Sequence, residues 1–140
     1  MFSLASYFKD TGYTTEAFHA NDPDNWNRSM VYPNLGFDKF NSIEDYKKHE
    51  EVEYLHDQPA DISDYRFIES ESKAMKGKNR FLFNVTMQNH SPYDRWLDVK
   101  KAKSVEKNGD DLYFDAQVYL SLVKASYDEV KQLVVNDLLI

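Results

Sequence analysis

Two short polar segments of this sequence contain the side chains best suited to binding an anion. The first contains Trp26 and Arg28, and the second contains His90. Arg28 offers a planar guanidinium that can bind a phosphate through two parallel hydrogen bonds, and His90 could donate to the same anion. A helix predicted to begin near Asn25–Asn27 would add backbone N–H donors. Trp26 could form an apolar wall against the carbon skeleton of the ligand.

Each of these residues also has an ordinary structural interpretation. Arg28 can be a surface arginine, Trp26 a core residue and His90 a histidine that caps a turn. Both segments, however, directly follow a predicted strand, and open α/β sheets bind ligands outside the carboxyl ends of their strands. This placement makes a phosphate site at Trp26, Arg28 and His90 a specific hypothesis, and the ordinary interpretations remain open beside it.

The elements that must position these residues are strands alternating with helices. Strands are predicted at Tyr13–His19, Phe37–Phe40 and Arg80–Met87. The last of these is apolar on both faces, as expected for a strand buried between two helical layers. The pattern predicts an α/β fold with mainly parallel strands and flanking helices.

Helices are predicted where apolar residues recur at helical spacing between capping and stop signals. They are expected at Ser3–Thr11, Asn25–Leu35, from Ser42 onward, at Ile62–Lys76 behind an Asp61 cap, and at Leu112–Leu138. In the last helix one stripe is predicted to face the core: Tyr119, Leu122, Val123, Tyr127, Val130, Leu133 and Val134. The polar stretch Pro92–Gly109 is predicted to be a long loop.

Composition excludes several classes of function. The chain has 140 residues and a formal net charge of −7, which argues against a nucleic-acid partner because phosphate backbones require a basic surface. The sequence has no cysteine, which excludes disulfides, thiolate metal sites and a cysteine nucleophile. No apolar run approaches a membrane span, and the N-terminus lacks the features of a signal peptide, so the chain as written is expected to be soluble.

The predicted sheet is too small for a complete α/β domain. Two clear strands and one doubtful one cannot form a full sheet covered on both faces. We therefore expect residues 1–140 to be a single partial domain, either a piece of a larger one or a self-pairing unit. Self-association through an exposed sheet edge would follow, because an open edge presents unpaired backbone groups.

Several strings of this sequence resemble the lipoteichoic acid synthase family of phosphoglycerol transferases, within the sulfatase/alkaline-phosphatase-like superfamily. The specific strings are Trp26-Asn-Arg-x-x-Val-Tyr-x-x-Leu-Gly-Phe-Asp38 and Asn84-Val-Thr-Met-Gln-Asn-His90. Further matches lie at Leu4–Thr15, at His19 and at Tyr119–Ser126, and together the matches span most of the chain in the family's order. The resemblance implies a partial alkaline-phosphatase-like three-layer α/β/α fold.

The resemblance also implies an activity. Members of this family are membrane-anchored, with an extracytoplasmic catalytic domain that takes glycerophosphate from the head group of phosphatidylglycerol. A threonine nucleophile forms a phospho-threonine intermediate, and Mn²⁺ or Mg²⁺ serves as Lewis acid. By position, Trp26 and Arg28 match residues that line the glycerophosphate pocket, and His90 matches a histidine that contacts the bound group.

This sequence departs from the family pattern in its catalytic residues. The threonine nucleophile and one acidic metal ligand would lie before Leu4, and the paired Asp-His of the metal site would lie after Ile140. We therefore expect no catalytic or metal-binding residue in this chain and no activity from the chain alone. The alternatives are a piece of a sulfatase or phosphodiesterase of the same superfamily, or a noncatalytic ligand-binding module.

Overall fold

A computed structural model describes residues 2–55, 57–93 and 114–137. The α-helices are α1 (Leu4–Asp10), α2 (Arg28–Asn34), α3 (Ile43–His49), α4 (Asp61–Ala74) and α5 (Phe114–Asp137). The strands are β1 (Thr14–His19), β2 (Lys39–Ser42), β3 (Tyr54–Leu55), β4 (Gln58–Pro59) and β5 (Arg80–Asn84). A short 3₁₀ turn, Asn25–Asn27, precedes α2. The predicted loop Pro92–Gly109 lies mostly outside the described residues.

The main sheet is parallel, with strand order β2-β1-β5. In the central strand, Ala17 lies opposite Phe40 of β2 and Phe83 of β5. Residues 15–19 of β1 are all buried, as expected for a strand paired on both sides and covered on both faces. A separate two-residue antiparallel pair joins β3 and β4. The predicted parallel α/β architecture is confirmed.

Helices cover both faces of this sheet. Alternate residues of β1 point to opposite sides of the sheet, so neighbouring residues pack against different helical layers. Phe18 packs with residues of α3 and α4, among them Tyr46 and Phe67. Ala17 packs on the other side, with Ala5 of α1 and with Tyr32 of α2. Helix α5 packs against α4, and its Val118 and Leu122 belong to a third buried cluster.

The helix predicted at Asn25–Leu35 is interrupted at its start, which corrects that prediction. Trp26 and Asn27 adopt left-handed backbone conformations, with φ of 56° and 53°. Residues in that conformation cannot continue a right-handed helix, so α2 begins only at Arg28. Gly36 then closes the turn after α2 with φ of 97°, and a Cβ there would lie 3.0 Å from the backbone nitrogen of Ser6.

Asp61 does not cap α4 as predicted. The N-cap position is Ala60, which has no side-chain cap, and Asp61 is the first helical residue. Its side chain is buried and hydrogen-bonds to Ser126 and Thr86. The residue therefore belongs to the interior between α4, α5 and the segment after β5.

The strand predicted at Arg80–Met87 is shorter in the structure and less buried than expected. The strand ends at Asn84 and is an outer strand of the described sheet. Its apolar side chains do reach both helical layers, since Phe81 and Leu82 pack in opposite clusters. The strand is only half-buried, however, and Phe83 is 42% exposed.

Helix α5 is confirmed, but the face predicted to be buried is not the one it buries. Of the predicted stripe only Leu122 is buried, and Tyr127 is 66% exposed. The side that packs on the rest of the molecule contains Val118, Ser121 and Leu122 instead. The apolar positions of α5 cover more of its circumference than the described contacts use, so the sequence pattern could not identify the packed side.

Candidate functional site

His19 is the last residue of β1 and is almost fully buried, with 2% of its surface exposed. Its Nδ1 lies 2.6 Å from the carbonyl oxygen of Val85. A carbonyl oxygen can only accept, so Nδ1 carries the proton and donates it. His19 Nε2 is buried and has no hydrogen-bond partner among the described residues.

The environment of His19 disfavours a second proton on its ring. Burial is the main cause, and it lowers the pKa of His19 below the usual value of 6.5. The positive charges of Arg28 and His90 lower that pKa further, while the hydrogen bond to Val85 opposes them. The same facts show that Arg28 and His90 both lie close enough to interact electrostatically with His19.

Arg28 is the first residue of α2 and is half-buried. Its Nη1 is buried without a hydrogen-bond partner among the described residues. An arginine is always charged, and a buried N–H without an acceptor is costly. The guanidinium therefore has a donor available for an anion, as its residue type predicted.

His90 lies in the segment that follows β5, on a turn closed by a 2.9 Å hydrogen bond from its N–H to the carbonyl oxygen of Met87. Its ring is exposed, with Nδ1 2.7 Å from the carbonyl oxygen of Ser91. This segment also meets the segment after β1, because the Asn21 side-chain amide donates to Met87 Sδ over 3.6 Å. The segments that follow the adjacent parallel strands β1 and β5 therefore meet, and Arg28 and His90 each lie close enough to act on the charge of His19.

Trp26 is placed differently from Arg28 and His90. Its side chain is 85% exposed, and no described contact joins it to His19, Arg28 or His90. The predicted backbone donors are not available either, because the N–H groups of Asn25 and Asn27 donate to the carbonyl oxygens of Asp22 and Asp24. The contact of Trp26 with a ligand stays a prediction.

His19 is the site residue that the sequence pattern did not identify. The sequence alone does not distinguish a histidine at the end of a strand from other polar residues in that position. The orientation of the His19 ring is fixed by the carbonyl oxygen of Val85, 66 positions away in the chain. The available signal was its position, since it ends a predicted strand and faces the same sheet edge as His90. That signal places it near a ligand without showing that its Nε2 is unpartnered.

The described residues do not form a metal site. Within residues 2–55, 57–93 and 114–137, no three His, Cys, Asp or Glu side chains come together in a way that could hold a metal ion. Asp22, a conceivable ligand, uses Oδ1 to accept the N–H of Asp24 in a turn. We derive no step through the Mn²⁺ or Mg²⁺ that the family resemblance implies. None of the described helices combines the length and apolar character needed to span a membrane.

Comparisons with known proteins identify related sequences across nearly the whole chain. The sulfatase family model matches residues 1–138. The chain is 33% identical over 134 residues to a putative cyclic beta-1,2-glucan modification protein of Rhizobium meliloti, covering 94% of this chain and 20% of that protein. It is 32% identical over 131 residues to lipoteichoic acid synthase 1 of Bacillus subtilis, covering 86% of this chain and 19% of that protein. The chain thus spans about a fifth of the length of these relatives.

Solved structures with the same fold include three bacterial proteins. The lipoteichoic acid synthase LtaP of Listeria monocytogenes matches with a TM-score of 0.73 at 20% identity, covering 94% of this chain and 31% of LtaP. An alkaline phosphatase superfamily protein of Vibrio parahaemolyticus matches with a TM-score of 0.62 at 20% identity, covering 94% and 32%. The phosphoglycerol transferase GacH of Streptococcus pyogenes, solved in complex with sn-glycerol-1-phosphate, matches with a TM-score of 0.67 at 26% identity, covering 89% and 32%.

The parallel sheet with helices on both faces and the match over residues 1–138 agree with one another. This chain belongs to the sulfatase family, and it is similar to lipoteichoic acid synthase 1 in sequence and to LtaP and GacH in fold.

Proposed function

We propose that this chain forms the glycerophosphate-binding part of a phosphoglycerol transferase. The observation that carries the proposal is the pair of buried, unpartnered nitrogens, His19 Nε2 and Arg28 Nη1, at the sheet edge where His90 also lies. Buried polar atoms in proteins are almost always hydrogen-bonded, so an unpartnered donor on Arg28 and an unpartnered ring nitrogen on His19 indicate a missing ligand. A phosphate group supplies several acceptor oxygens and a compensating negative charge.

The charges of the site favour an anion although the whole chain is acidic. The net charge of −7 excludes a broad basic surface, but Arg28 and two histidines are concentrated at one point. Near neutral pH His19 keeps a lone pair on Nε2, because burial lowers its pKa. In that form it accepts a hydrogen bond from a protonated phosphate oxygen or a glycerol hydroxyl. A bound dianion would favour the doubly protonated ring, which then donates instead.

The finer features of the proposal come from the family resemblance. The complete enzyme would take glycerophosphate from phosphatidylglycerol, through a phospho-threonine intermediate, for the synthesis of lipoteichoic acid or a related glycerophosphate polymer. It would be membrane-anchored, with this domain outside the cytoplasm, and would use Mn²⁺ or Mg²⁺. We assign no catalytic residue to this chain, and we expect the 140 residues alone to be inactive. GacH, a relative in fold, was solved with sn-glycerol-1-phosphate.

A second candidate is binding of sulfate or of a different phosphodiester. The matching family model is that of the sulfatases, and a tetrahedral sulfate presents the same kind of acceptor oxygens to Arg28. The glycerol moiety distinguishes the two candidates. If it contributes contacts, for example with Trp26, glycerol phosphate binds more tightly than sulfate or inorganic phosphate.

Calorimetric titration of the chain with sn-glycerol-1-phosphate tests the proposal. Hydrogen bonds to charged groups contribute roughly 1.5–3 kcal/mol, so Arg28→Ala should weaken binding by about one to two orders of magnitude. Arg66→Ala is the matched control, because Arg66 is an exposed arginine that pairs with Glu53 over 2.5 Å. Absence of binding to the unmodified chain, or equal binding by the two variants, would contradict the proposal. Stronger binding of sulfate than of glycerol phosphate would favour the second candidate.

A further inference from the structure

Gln88, two residues before His90, connects the site to two helices. Gln88 is fully buried, with 0% of its surface exposed, although it lies in an irregular segment next to the exposed His90. Its Oε1 accepts the backbone N–H of Asp61, at the first turn of α4, over 3.0 Å. Its Nε2 donates to the carbonyl oxygen of Leu122 over 3.3 Å and to Ser126 Oγ over 3.0 Å. One side chain thus joins the segment after β5 to both α4 and α5.

Ser126 is the point at which these hydrogen bonds meet. Its Oγ accepts from Gln88 and also from the Asn89 side-chain amide, over 2.9 Å. Its hydroxyl also interacts with the Asp61 side chain. Two consecutive residues before His90 are therefore fixed to a single atom of α5.

The contact geometry limits where His90 can be. The side chains of Gln88 and Asn89 fix the chain immediately before it, and the hydrogen bond from His90 N–H to the Met87 carbonyl oxygen closes the turn. The Gln88 amide is hydrogen-bonded at both its oxygen and its nitrogen, so it has little freedom to rearrange without leaving buried polar atoms unpaired. The position of the His90 ring relative to His19 and Arg28 thus depends on contacts made on the far side of the segment.

We propose that Gln88 and Ser126 are positioning residues that hold His90 in the anion site, so that the docking of α5 controls the affinity for the anion. The inference rests on the proposed function for its ligand. Its structural half, the control of the His90 position by Ser126, can be tested without any ligand.

The test uses Ser126→Ala in the full chain, with Ser121→Ala as the matched control. Ser121 is also a buried serine of α5, but its hydroxyl donates only to the carbonyl oxygen of Gln117, within its own helix, over 2.8 Å. Two quantities are measured: the nuclear magnetic resonance signal of the His90 ring without ligand, and the affinity for sn-glycerol-1-phosphate. Asn89→Ala, at a half-buried position, replaces Ser126→Ala if that variant does not fold.

Ser126→Ala removes hydrogen bonds between neutral groups, so we expect this variant to bind sn-glycerol-1-phosphate about five- to tenfold more weakly. The His90 ring signal should shift in the same variant, whereas Ser121→Ala should change neither quantity. In a His90→Ala background the effect of Ser126→Ala on affinity should largely disappear, because both act through one group. An unshifted His90 signal, or an equal loss of affinity with and without His90, would overturn the inference. If the unmodified chain does not bind the ligand but Ser126→Ala still shifts the His90 signal, the proposed function fails and the positioning role is supported.

Discussion

At the scale of single residues, the site depends on polar atoms that the protein itself leaves unpaired. The sequence could predict that the segments carrying Arg28 and His90 would lie at one edge of the sheet, because both follow parallel strands. It could not predict the orientation of His19, which is fixed by the carbonyl oxygen of Val85. Nor could it predict the exposure of Trp26, which results from the left-handed backbone of that residue and its neighbour Asn27.

Glu16 is a buried acidic residue in the middle of the central strand, and Arg80 of β5 compensates its charge. Arg80 Nη2 lies 2.9 Å from Glu16 Oε1, and both side chains are nearly inaccessible to solvent. Removing one member of a buried pair leaves the other charge uncompensated. The pair therefore joins β1 to β5, the two strands that supply His19 and the segment carrying His90.

Arg80→Ala is expected to lower the free energy of unfolding by roughly 3–5 kcal/mol, as measured by urea denaturation. Arg66→Ala removes an exposed arginine from an ion pair with Glu53 and should cost about 1 kcal/mol or less. Adding Glu16→Gln to Arg80→Ala should restore part of the loss, since the unpaired charge is then gone. Similar losses for Arg80→Ala and Arg66→Ala would show that the buried pair is not important for stability.

At the scale of elements, the contact between α4 and α5 is unusual because it buries carboxyl groups. Asp61 and Asp64 are fully buried on α4, and half-buried Glu129 interacts with Asp61 electrostatically from α5. Burial is the main cause that raises the pKa of Asp64 to about 7, and the charges of Asp61 and Glu129 raise it further. Burial and the charge of Asp61 likewise raise the pKa of Glu129 to about 7.

These raised pKa values predict that the chain loses stability as the pH rises. Between about pH 4 and pH 7 the folded state holds protons on Asp64 and Glu129 that the unfolded state has released, so the free energy of unfolding falls across that window. His19 has the opposite effect, because its lowered pKa makes the unfolded state bind more protons below its usual value. Two carboxyls outweigh one histidine, so the net change is a decrease.

Urea denaturation at pH 5 and pH 8 measures this effect. We expect the unmodified chain to be less stable at the higher pH by roughly 2 kcal/mol, given about 1.4 kcal/mol for each unit of pKa difference and partial solvation of Glu129. Asp64→Asn imitates the protonated carboxyl and should remove much of the difference. Glu51→Gln, which changes an exposed carboxyl, should leave it intact. A chain that is equally stable at both pH values would contradict the role given to these buried carboxyls.

The same contact explains why the packed side of α5 was predicted wrongly. Apolar periodicity identified Tyr119, Val123 and Tyr127 beside Leu122, but α5 presents Leu122 together with Ser126 and Glu129 to α4 and to the segment after β5. A serine and a glutamate on the packed side weaken its apolar signature. The existence of the helix was predictable from the sequence, whereas its orientation depended on hydrogen bonds to distant residues.

At the scale of the whole molecule, the described sheet has β2 and β5 as its outer strands. The parallel pattern, the helical layers and the family were all predictable, because the strands and the two specific sequence strings are local signals. The exposure of Phe83 was not, because it depends on whether another strand lies beside β5. Open strand edges and exposed apolar side chains promote pairing between chains.

We therefore expect the chain to self-associate through the edge of β5. Light scattering during size-exclusion chromatography should show a molar mass that rises with concentration. Phe83→Lys, which places a charge on the outer strand, should reduce this association. Tyr127→Lys tests the exposed face of α5 instead. A larger effect of Tyr127→Lys would assign the association to the helix, and a monomer at every concentration would contradict it altogether.

The central claim is that His19, Arg28 and His90 form one anion site, and a crystal structure of the chain soaked with sn-glycerol-1-phosphate tests it most directly. The phosphate should lie at the carboxyl ends of β1 and β5, with oxygens at hydrogen-bond distance, about 2.7–3.2 Å, from His19 Nε2 and Arg28 Nη1 and with the His90 ring beside it. A phosphate bound elsewhere, or none at all while both nitrogens remain unpartnered, would contradict the claim.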